Sequence, residues 1–485
     1  MDIFTDAECQ EIADEFPPVG KSLRLPSVTL RLNYVIRRMR TLHWVADRSI
    51  EKPTVYLWDG LCYRQITRND MNWMITRVFE RCGWLDCREV HTAEVYKQTV
   101  ARCSHITREK NIYLNDCEDY IVFDNGYYHI HTKTFEAADE AAHAPLHITQ
   151  RLTVPLLFKE DGSIDDNCPK FKEMLETIVP ENKAEVCAMM AHTLTSGIGK
   201  GICQVWVGPG KNGKSELTVI LAELHGDAVS HVSMGDLLNK NNRFASARLK
   251  GMKLNIGSEM TSTEVSPNGL AEIKRTMTNR FLSGEKKGKD PEEWVNTTKH
   301  IFDVNDLPLT SAHMDYAFFR RFQIIPFLHI IQEEDQIPEY GKLVFREEGP
   351  QIAGYLLSFL DQRNDLIRED AKLAERMWEY YTQSVFVFEK FYCFEDCKSK
   401  FTATDDLYAT YLRFCDEKVR KAASKALFGR LLKKRGYVRT YREGEGHGYV
   451  ITCIYPVEVE SLFTILNDAE MEKIEREIEQ NLNGE

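Results

Sequence analysis

The stretch that most constrains this chain is residues 202–227, ICQVWVGPGKNGKSELTVILAELHGD, which joins an apolar run, a glycine-rich turn and an amphipathic segment. Residues 202–207 predict a buried strand, and residues 216–224, which contain no Gly or Pro, predict a helix. The turn between them fits the pattern G-x-x-x-x-G-K-[ST] at Gly208, Gly213, Lys214 and Ser215. Strand, loop and helix is the order that a phosphate-binding loop requires.

The residue types of this loop suit a nucleotide. Glycines let backbone N–H groups curl around a β-phosphate, Lys214 reaches the β- and γ-phosphates, and the Ser215 hydroxyl ligates Mg²⁺. The positive end of the following helix faces the same anion. We therefore predict that the chain binds ATP and Mg²⁺. The predicted binding residues are Gly208, Pro209, Gly210, Lys211, Asn212, Gly213, Lys214 and Ser215.

Length and composition limit the class of protein. A chain of 485 residues is too long for one ordinary core, and 43% hydrophobic with 28% charged residues is typical of a globular protein. No apolar run approaches the ~20 residues of a membrane span. The acidic N-terminus is unlike a signal peptide. We expect a cytoplasmic protein with no membrane partner.

The distribution of charge along the chain is more informative about nucleic-acid binding than the net charge is. A net charge of -12 argues against a uniformly basic nucleic-acid binder, yet residues 418–442 hold ten Lys or Arg and no Asp or Glu. One local surface is therefore strongly basic within an acidic protein.

Two further segments read as short strands ending in polar residues, namely 253–259 (KLNIGSE) and 300–304 (HIFDV). Strands that alternate with helices predict a parallel, doubly wound sheet whose ligands bind at the carboxyl ends of the strands. Glu259 is the candidate acid that orders Mg²⁺ through water and polarises the attacking water. Asn305 is the candidate amide that holds this water or the γ-phosphate. Taken alone, a solvated carboxylate and a turn-forming Asn explain these two residues as well.

Arg320 and Arg321, in FFRRFQIIPF, are either plain surface charge or an arginine finger that reaches the γ-phosphate on a neighbouring subunit. A finger acting between subunits predicts that isolated monomers hydrolyse ATP poorly.

A lysine-rich segment between Glu259 and Asn305 predicts a glycine-bent loop that contacts the phosphates of a nucleic acid strand. A solvated loop is the alternative. The candidate DNA-binding residues of the lysine-rich segment are Lys286, Lys287 and Lys289.

Together these motifs resemble the superfamily 3 helicases, and among them the phage, plasmid and poxvirus-type primase-helicases. The similar segments are GPGKNGKS, FASARLKGMKLNIGSE, KHIFDVNDLP and AFFRRFQIIPF, and the resemblance extends over roughly residues 50–455. It implies an AAA+-like P-loop NTPase core that works as a hexameric ring.

The resemblance also implies a role for each matching residue. Glu259 would be the Walker B acid, Asn305 the sensor, and Arg321 the finger with Arg320 beside it. The three lysines would lie on a hairpin in the central channel. Ser258 is a departure, because many relatives have a second acid there, and this puts in doubt Mg²⁺ ligation by two carboxylates.

Primer synthesis by this chain is not expected. Only about 165 residues precede the ATPase segment, and they contain no convincing metal triad. Asp116 and Glu118 lie in a polar loop, LNDCEDY, where a structural role is the simpler interpretation. A separate primase or polymerase would then be a partner.

The C-terminal segment SKALFGRLLKKRGYVRTYREGEGHGYVITCIY predicts a helix, a strand, a Gly-rich turn and a second strand, the order of a winged-helix module. Duplex DNA contact is the functional interpretation. A basic face used for protein contacts is the alternative. The candidate DNA-binding residues are Lys425, Arg430, Lys433, Lys434 and Arg435.

These observations predict an α/β protein of five parts. They are an α+β domain (1–165), the P-loop ATPase domain (166–335), a helical lid or connector (336–385), a winged-helix domain (386–456) and an acidic tail (457–485). The predicted function is an ATP-dependent DNA helicase for replication initiation of a phage, plasmid or mobile element, acting on single-stranded and duplex DNA as a homo-oligomer. The alternative is an ATP-switched initiator or loader that oligomerises on DNA without unwinding it.

Overall fold

The computed structural model describes most of the chain. The described residues are 3–16, 27–49, 52–84, 89–208, 210–239, 244–258, 267–285, 291–305, 307, 315–382, 384–391, 401–417, 422–434 and 436–451. They fall into two compact units that divide between Ala374 and Glu375.

The first part of the larger unit combines five helices of the described residues with two small antiparallel sheets. Its helices are α1 (Asp6–Asp14), α2 (Val28–Met39), α3 (Arg68–Arg81), α4 (Glu89–Glu109) and α5 (Glu140–His143). One sheet contains β1 (Trp44–Ala46), β2 (Val55–Trp58) and β3 (Tyr63–Ile66), and the other contains β4 (Tyr120–Phe123), β5 (Gly126–His129) and β6 (Thr134–Glu136).

Helix α3 shows how the sequence specifies this part. Thr67 and Asp70 form a capping box at its start, which satisfies backbone N–H groups that have no partner within the helix. Five of its apolar residues recur at helical spacing and are buried, so one face of the helix packs into the core. These residues are Met71, Met74, Ile75, Val78 and Phe79.

The centre of the larger unit is a five-stranded parallel sheet in the order β13-β7-β12-β9-β8. Its strands are β7 (Cys203–Val207), β8 (Val229–Ser230), β9 (Leu254–Ser258), β12 (Lys299–Val304) and β13 (Phe322–Pro326). Strand β7 is buried along its whole length, as expected for a parallel strand covered on both faces. The predicted parallel α/β sheet is therefore confirmed.

Helices connect the strands of this sheet, and an antiparallel pair of strands, β10 (Phe281–Gly284) and β11 (Glu292–Val295), lies between β9 and β12 in the chain. The helices are α6 (Pro169–Ile178), α7 (Lys183–Leu194), α8 (Lys214–His225), α9 (Met234–Leu238), α10 (Pro267–Thr278), α11 (Tyr316–Phe319), α12 (Tyr340–Leu357) and α13 (Arg363–Leu366).

Helix α12 differs from its sequence prediction. The apolar residues of EGPQIAGYLLSFLD predict a helix over residues 348–361. In the structure the helix begins at Tyr340, continues through Pro350 and ends at Leu357. Its packing against α8 and the burial of Val344 and Ile352 outweigh the local cost of a proline.

The smaller unit has its own core, which includes Phe388, Tyr411 and Phe428. Helix α14 (Ala371–Thr382) begins in the larger unit and ends in the smaller one. Its other helices are α15 (Ser384–Phe391), α16 (Thr404–Glu417) and α17 (Lys425–Lys434), and its antiparallel sheet has the order β14-β16-β15, from β14 (Thr402–Ala403), β15 (Arg439–Arg442) and β16 (Gly446–Tyr449).

No helix among the described residues is both long and apolar enough to span a bilayer. The predicted acidic tail, 457–485, lies outside the described residues.

Candidate nucleotide site

The glycine-rich loop connects β7 to α8 at the carboxyl edge of the parallel sheet. Two of its glycines are required by close packing and backbone conformation. A Cβ on Gly208 would lie 2.2 Å from the carbonyl oxygen of Phe327. Gly213 has a φ of +77°, and a Cβ there would lie 2.7 Å from the side chain of Ile178. The loop therefore fits closely between α6 and the end of β13.

Lys214 is held over this loop. Its side chain is only 3% exposed, and its Nζ donates hydrogen bonds to the Gly208 carbonyl oxygen at 2.8 Å and to Asn212 Oδ1 at 3.0 Å. Asn212 in turn donates from Nδ2 to the carbonyl oxygen of Phe327 at 3.1 Å. Burial lowers the pKa of Lys214, and the nearby Asp303 carboxylate opposes that shift. Two oxygen atoms of the glycine-rich loop therefore orient the Lys214 ammonium group.

Asp303 joins this group from the neighbouring strand. It lies near the carboxyl end of β12, level with Trp206 of β7 and Ser258 of β9. Its Oδ2 accepts a hydrogen bond from Ser215 Oγ at 3.0 Å, and its Oδ1 lies 3.9 Å from Lys214 Nζ. Burial raises the pKa of Asp303, while Lys214 and Ser215 counteract this rise. A carboxylate, a hydroxyl and an ammonium group therefore meet at the start of α8.

Sequence reasoning missed Asp303. The available signal was its place in KHIFDVNDLP, two residues before Asn305, because alternate residues of a strand share one face. Asn305 itself is exposed and directly follows β12. Pro209 and Glu259 lie outside the described residues, although Ser258, which precedes Glu259, ends β9 beside β12.

The two arginines directly precede β13, at the amino-terminal ends of the parallel strands, whereas the glycine-rich loop lies at their carboxyl ends. The backbone N–H of Cys203 donates to the Arg321 carbonyl oxygen at 2.9 Å, so Arg321 is level with the start of β7. At about 3.3 Å per residue, it is roughly 15 Å along the sheet from the glycine-rich loop. Arg320 pairs with Glu369 at 3.4 Å, and Arg321 Nη1 donates to the Ala317 carbonyl. The structure therefore does not bring these arginines to the loop of the same chain.

The remaining candidates, the predicted DNA-binding residues, belong to two segments of the chain. The lysine-rich segment joins β10 to β11, but Lys286, Lys287 and Lys289 themselves lie outside the described residues. On α17, Phe428 and Leu432 are buried, whereas Arg430 and Lys433 are exposed. Lys425 forms an ion pair with Asp405. Lys434 is the last residue of α17, and Arg435 is outside the described residues.

Comparison with known proteins gives one partial family match. Residues 206–321 match the family described as "Family of unknown function (DUF5906)". This range runs from β7 through the glycine-rich loop and Asp303 to Arg321. A search of curated proteins finds no match.

Solved structures show a distant likeness. Two apo structures of the NrS-1 C-terminal region have TM-scores of 0.44 and 12% identity, covering 86% and 87% of this chain and 99% of theirs. A third, also an apo form of this region, has a TM-score of 0.42 and 11% identity over 86% of this chain and 98% of its own. Similarity this low assigns no role to any residue here.

Proposed function

We propose that this chain is an ATP-dependent DNA helicase that works as a ring in replication initiation. The observation that carries the proposal is the meeting of Lys214, Ser215 and Asp303 next to a glycine-rich loop at the carboxyl edge of a parallel sheet. That edge is where ligands bind in open α/β sheets. A buried ammonium group, a loop of backbone N–H groups and a helix N-terminus all favour a bound triphosphate.

Each residue has a distinct part in binding ATP. Lys214 exchanges the Gly208 carbonyl and Asn212 amide oxygens for phosphate oxygens, so the same two hydrogen bonds that orient it in the free protein become bonds to ligand. The Ser215 hydroxyl would be a ligand of Mg²⁺. Bound Mg²⁺ would neutralise charge that develops on the phosphates. Glu259 and Asn305 would orient and polarise the attacking water.

The position of the arginines supports a site shared between subunits. Arg320 and Arg321 lie at the edge of the sheet away from the glycine-rich loop. A contact that joins one end of a subunit to the other end of the next is head-to-tail, and such contacts form a ring when the rotation between subunits closes. Arg321 of one subunit would then stabilise the γ-phosphate charge on its neighbour, as an arginine finger does.

DNA contact would come from two basic surfaces. The three lysines between β10 and β11 in the chain would contact the strand in the ring. Helix α17 and the β15–β16 hairpin would act as a winged-helix module on duplex DNA. These contacts give salt-dependent affinity without sequence preference.

A mixing experiment tests the shared site. Lys214→Ala and Arg321→Ala should each lose most ATP hydrolysis, and a 1:1 mixture should regain part of it, because some interfaces then pair an intact loop with an intact arginine. Lys342→Ala is the control, because Lys342 pairs with Glu339 at the start of α12 and should leave hydrolysis unchanged. Normal hydrolysis by Arg321→Ala would remove Arg321 from the site.

Strand displacement then separates the helicase from the ATP-switched initiator or loader. Forked and tailed duplexes should be unwound by the wild type and not by Lys214→Ala. DNA-stimulated hydrolysis with no unwinding of any substrate would favour the initiator or loader instead.

A further inference from the structure

Among the described residues of the parallel strands, the carboxylate that contacts the start of α8 is Asp303 of β12. The residues of β9 and β12 that lie level at the carboxyl edge are Ser258 and Asp303, and only the second carries a charge. Strand β12 also separates β9 from β7, so Asp303 is one strand closer to the loop, by about 4.8 Å. The sheet order thus gives this acid direct access to the start of α8.

The distance between the two oxygen atoms suits a divalent cation. Ser215 Oγ and Asp303 Oδ2 are 3.0 Å apart and come from different elements of the fold. Mg²⁺ binds oxygen at about 2.0–2.1 Å in octahedral geometry, so neighbouring ligands lie roughly 2.9 Å apart. The two oxygen atoms are therefore spaced as one edge of such an octahedron. The hydroxyl would keep its hydrogen and turn it away from Asp303 when both oxygen atoms ligate the cation.

Charge balance at the site leads to the same conclusion. In the free protein Lys214 lies 3.9 Å from Asp303 and hydrogen-bonds within its own loop. A bound triphosphate would pair with the Lys214 ammonium group and bring its own negative charge close to Asp303. The Asp303 side chain is only 12% exposed, so solvent would screen this repulsion poorly. A buried carboxylate in that position requires a cation.

We propose that Asp303 and Ser215 are the protein's oxygen ligands for the divalent cation of the bound nucleoside triphosphate, with Asp303 supplying the carboxylate. The inference rests on the proposed ATP site. It leaves Glu259 to act on the attacking water and shifts direct metal ligation to β12.

The test compares nucleotide affinity with and without the metal. Asp303→Asn keeps an oxygen that accepts a hydrogen bond from Ser215 but removes the negative charge. Its affinity for a fluorescent ATP analogue should fall roughly 10- to 100-fold in Mg²⁺, the range seen when groups that support a metal are lost, and stay unchanged in EDTA. Asp361→Asn, which alters an exposed carboxylate paired with Lys133, should match wild type in both.

The outcomes distinguish this inference from the proposed function. A wild type that binds the analogue in neither buffer overturns the ATP site itself. A wild type that needs Mg²⁺, with an Asp303→Asn variant that shows the same Mg²⁺ dependence, overturns only the metal-ligand role. Equal weakening in Mg²⁺ and EDTA also overturns it, because that result indicates a purely structural contact.

Two further measurements remain decisive if Asp303→Asn folds poorly. Asp303→Cys should bind the analogue in Cd²⁺ and lose binding in Mg²⁺, because thiolates prefer softer cations. In wild type labelled with ¹³C-aspartate and loaded with Mn²⁺ and the analogue, electron–nuclear double resonance should show a carboxylate carbon coupled to the metal. Absence of that coupling would overturn the proposal.

Discussion

The glycine-rich loop and helix α17 both carry positive charge, but the fold treats the two charges differently. Lys214 is almost completely buried and has fixed partners, whereas Arg430 and Lys433 are exposed on the side of α17 away from its buried Phe428. A buried charge depends on each neighbour, so one substitution has a large effect. Exposed charges act through a screened field, so each contributes little and their effects add. Single substitutions at the loop should therefore have large effects, whereas substitutions on α17 should have small effects that add.

The largest effect is expected at Lys214. Lys214→Ala removes the ammonium group that balances Asp303 and would bind the phosphates. Truncating one partner of a buried charge pair costs about 2 to 5 kcal/mol, so binding of ATP with Mg²⁺ should weaken at least roughly 30-fold. Titration with a fluorescent ATP analogue measures this change. Wild-type affinity in the variant would show that the buried ammonium does not face the ligand.

Much of this site is foreseeable from the sequence, because the spacing of Gly208, Gly213 and Lys214 and the run before them are local signals. The partner of Ser215 is not, since Asp303 is 88 residues away and reaches it only because β12 lies between β7 and β9. Local patterns carry no information about strand order. Local patterns also do not predict that α12 begins at Tyr340, because this early start depends on packing against α8.

A pair of adjacent glutamates on α12 tests the same contrast within one helix. Glu348 is 7% exposed, and its carboxylate accepts hydrogen bonds from the backbone N–H groups of Lys170 at 3.0 Å and Phe171 at 2.9 Å, at the start of α6. Glu347 is 42% exposed and pairs with the Lys170 side chain. The buried carboxylate therefore caps the helix whose Ile178 packs against Gly213.

Glu348→Gln should lower the free energy of unfolding by about 1 to 3 kcal/mol, because a buried amide replaces a charged acceptor at two N–H groups. Glu347→Gln, the matched control, should cost under about 1 kcal/mol as an exposed ion pair does. Denaturant titration of the larger unit's unfolding measures both. Equal losses in the two variants would mean that burial does not set the strength of these charges.

The smallest effect per residue is expected on α17. Arg430→Ala and Lys433→Ala remove exposed charges, so the stability of the smaller unit should change by less than about 0.5 kcal/mol. If both residues contact phosphates, each substitution should reduce the slope of log affinity against log salt for duplex DNA by about 1, and the double variant by about 2. Lys425→Ala should reduce it less, because Asp405 already pairs with that lysine. Salt titrations of fluorescence anisotropy provide the slopes. A double variant that binds duplex DNA with an unchanged slope would place the DNA contact elsewhere and leave α17 as a face for protein partners.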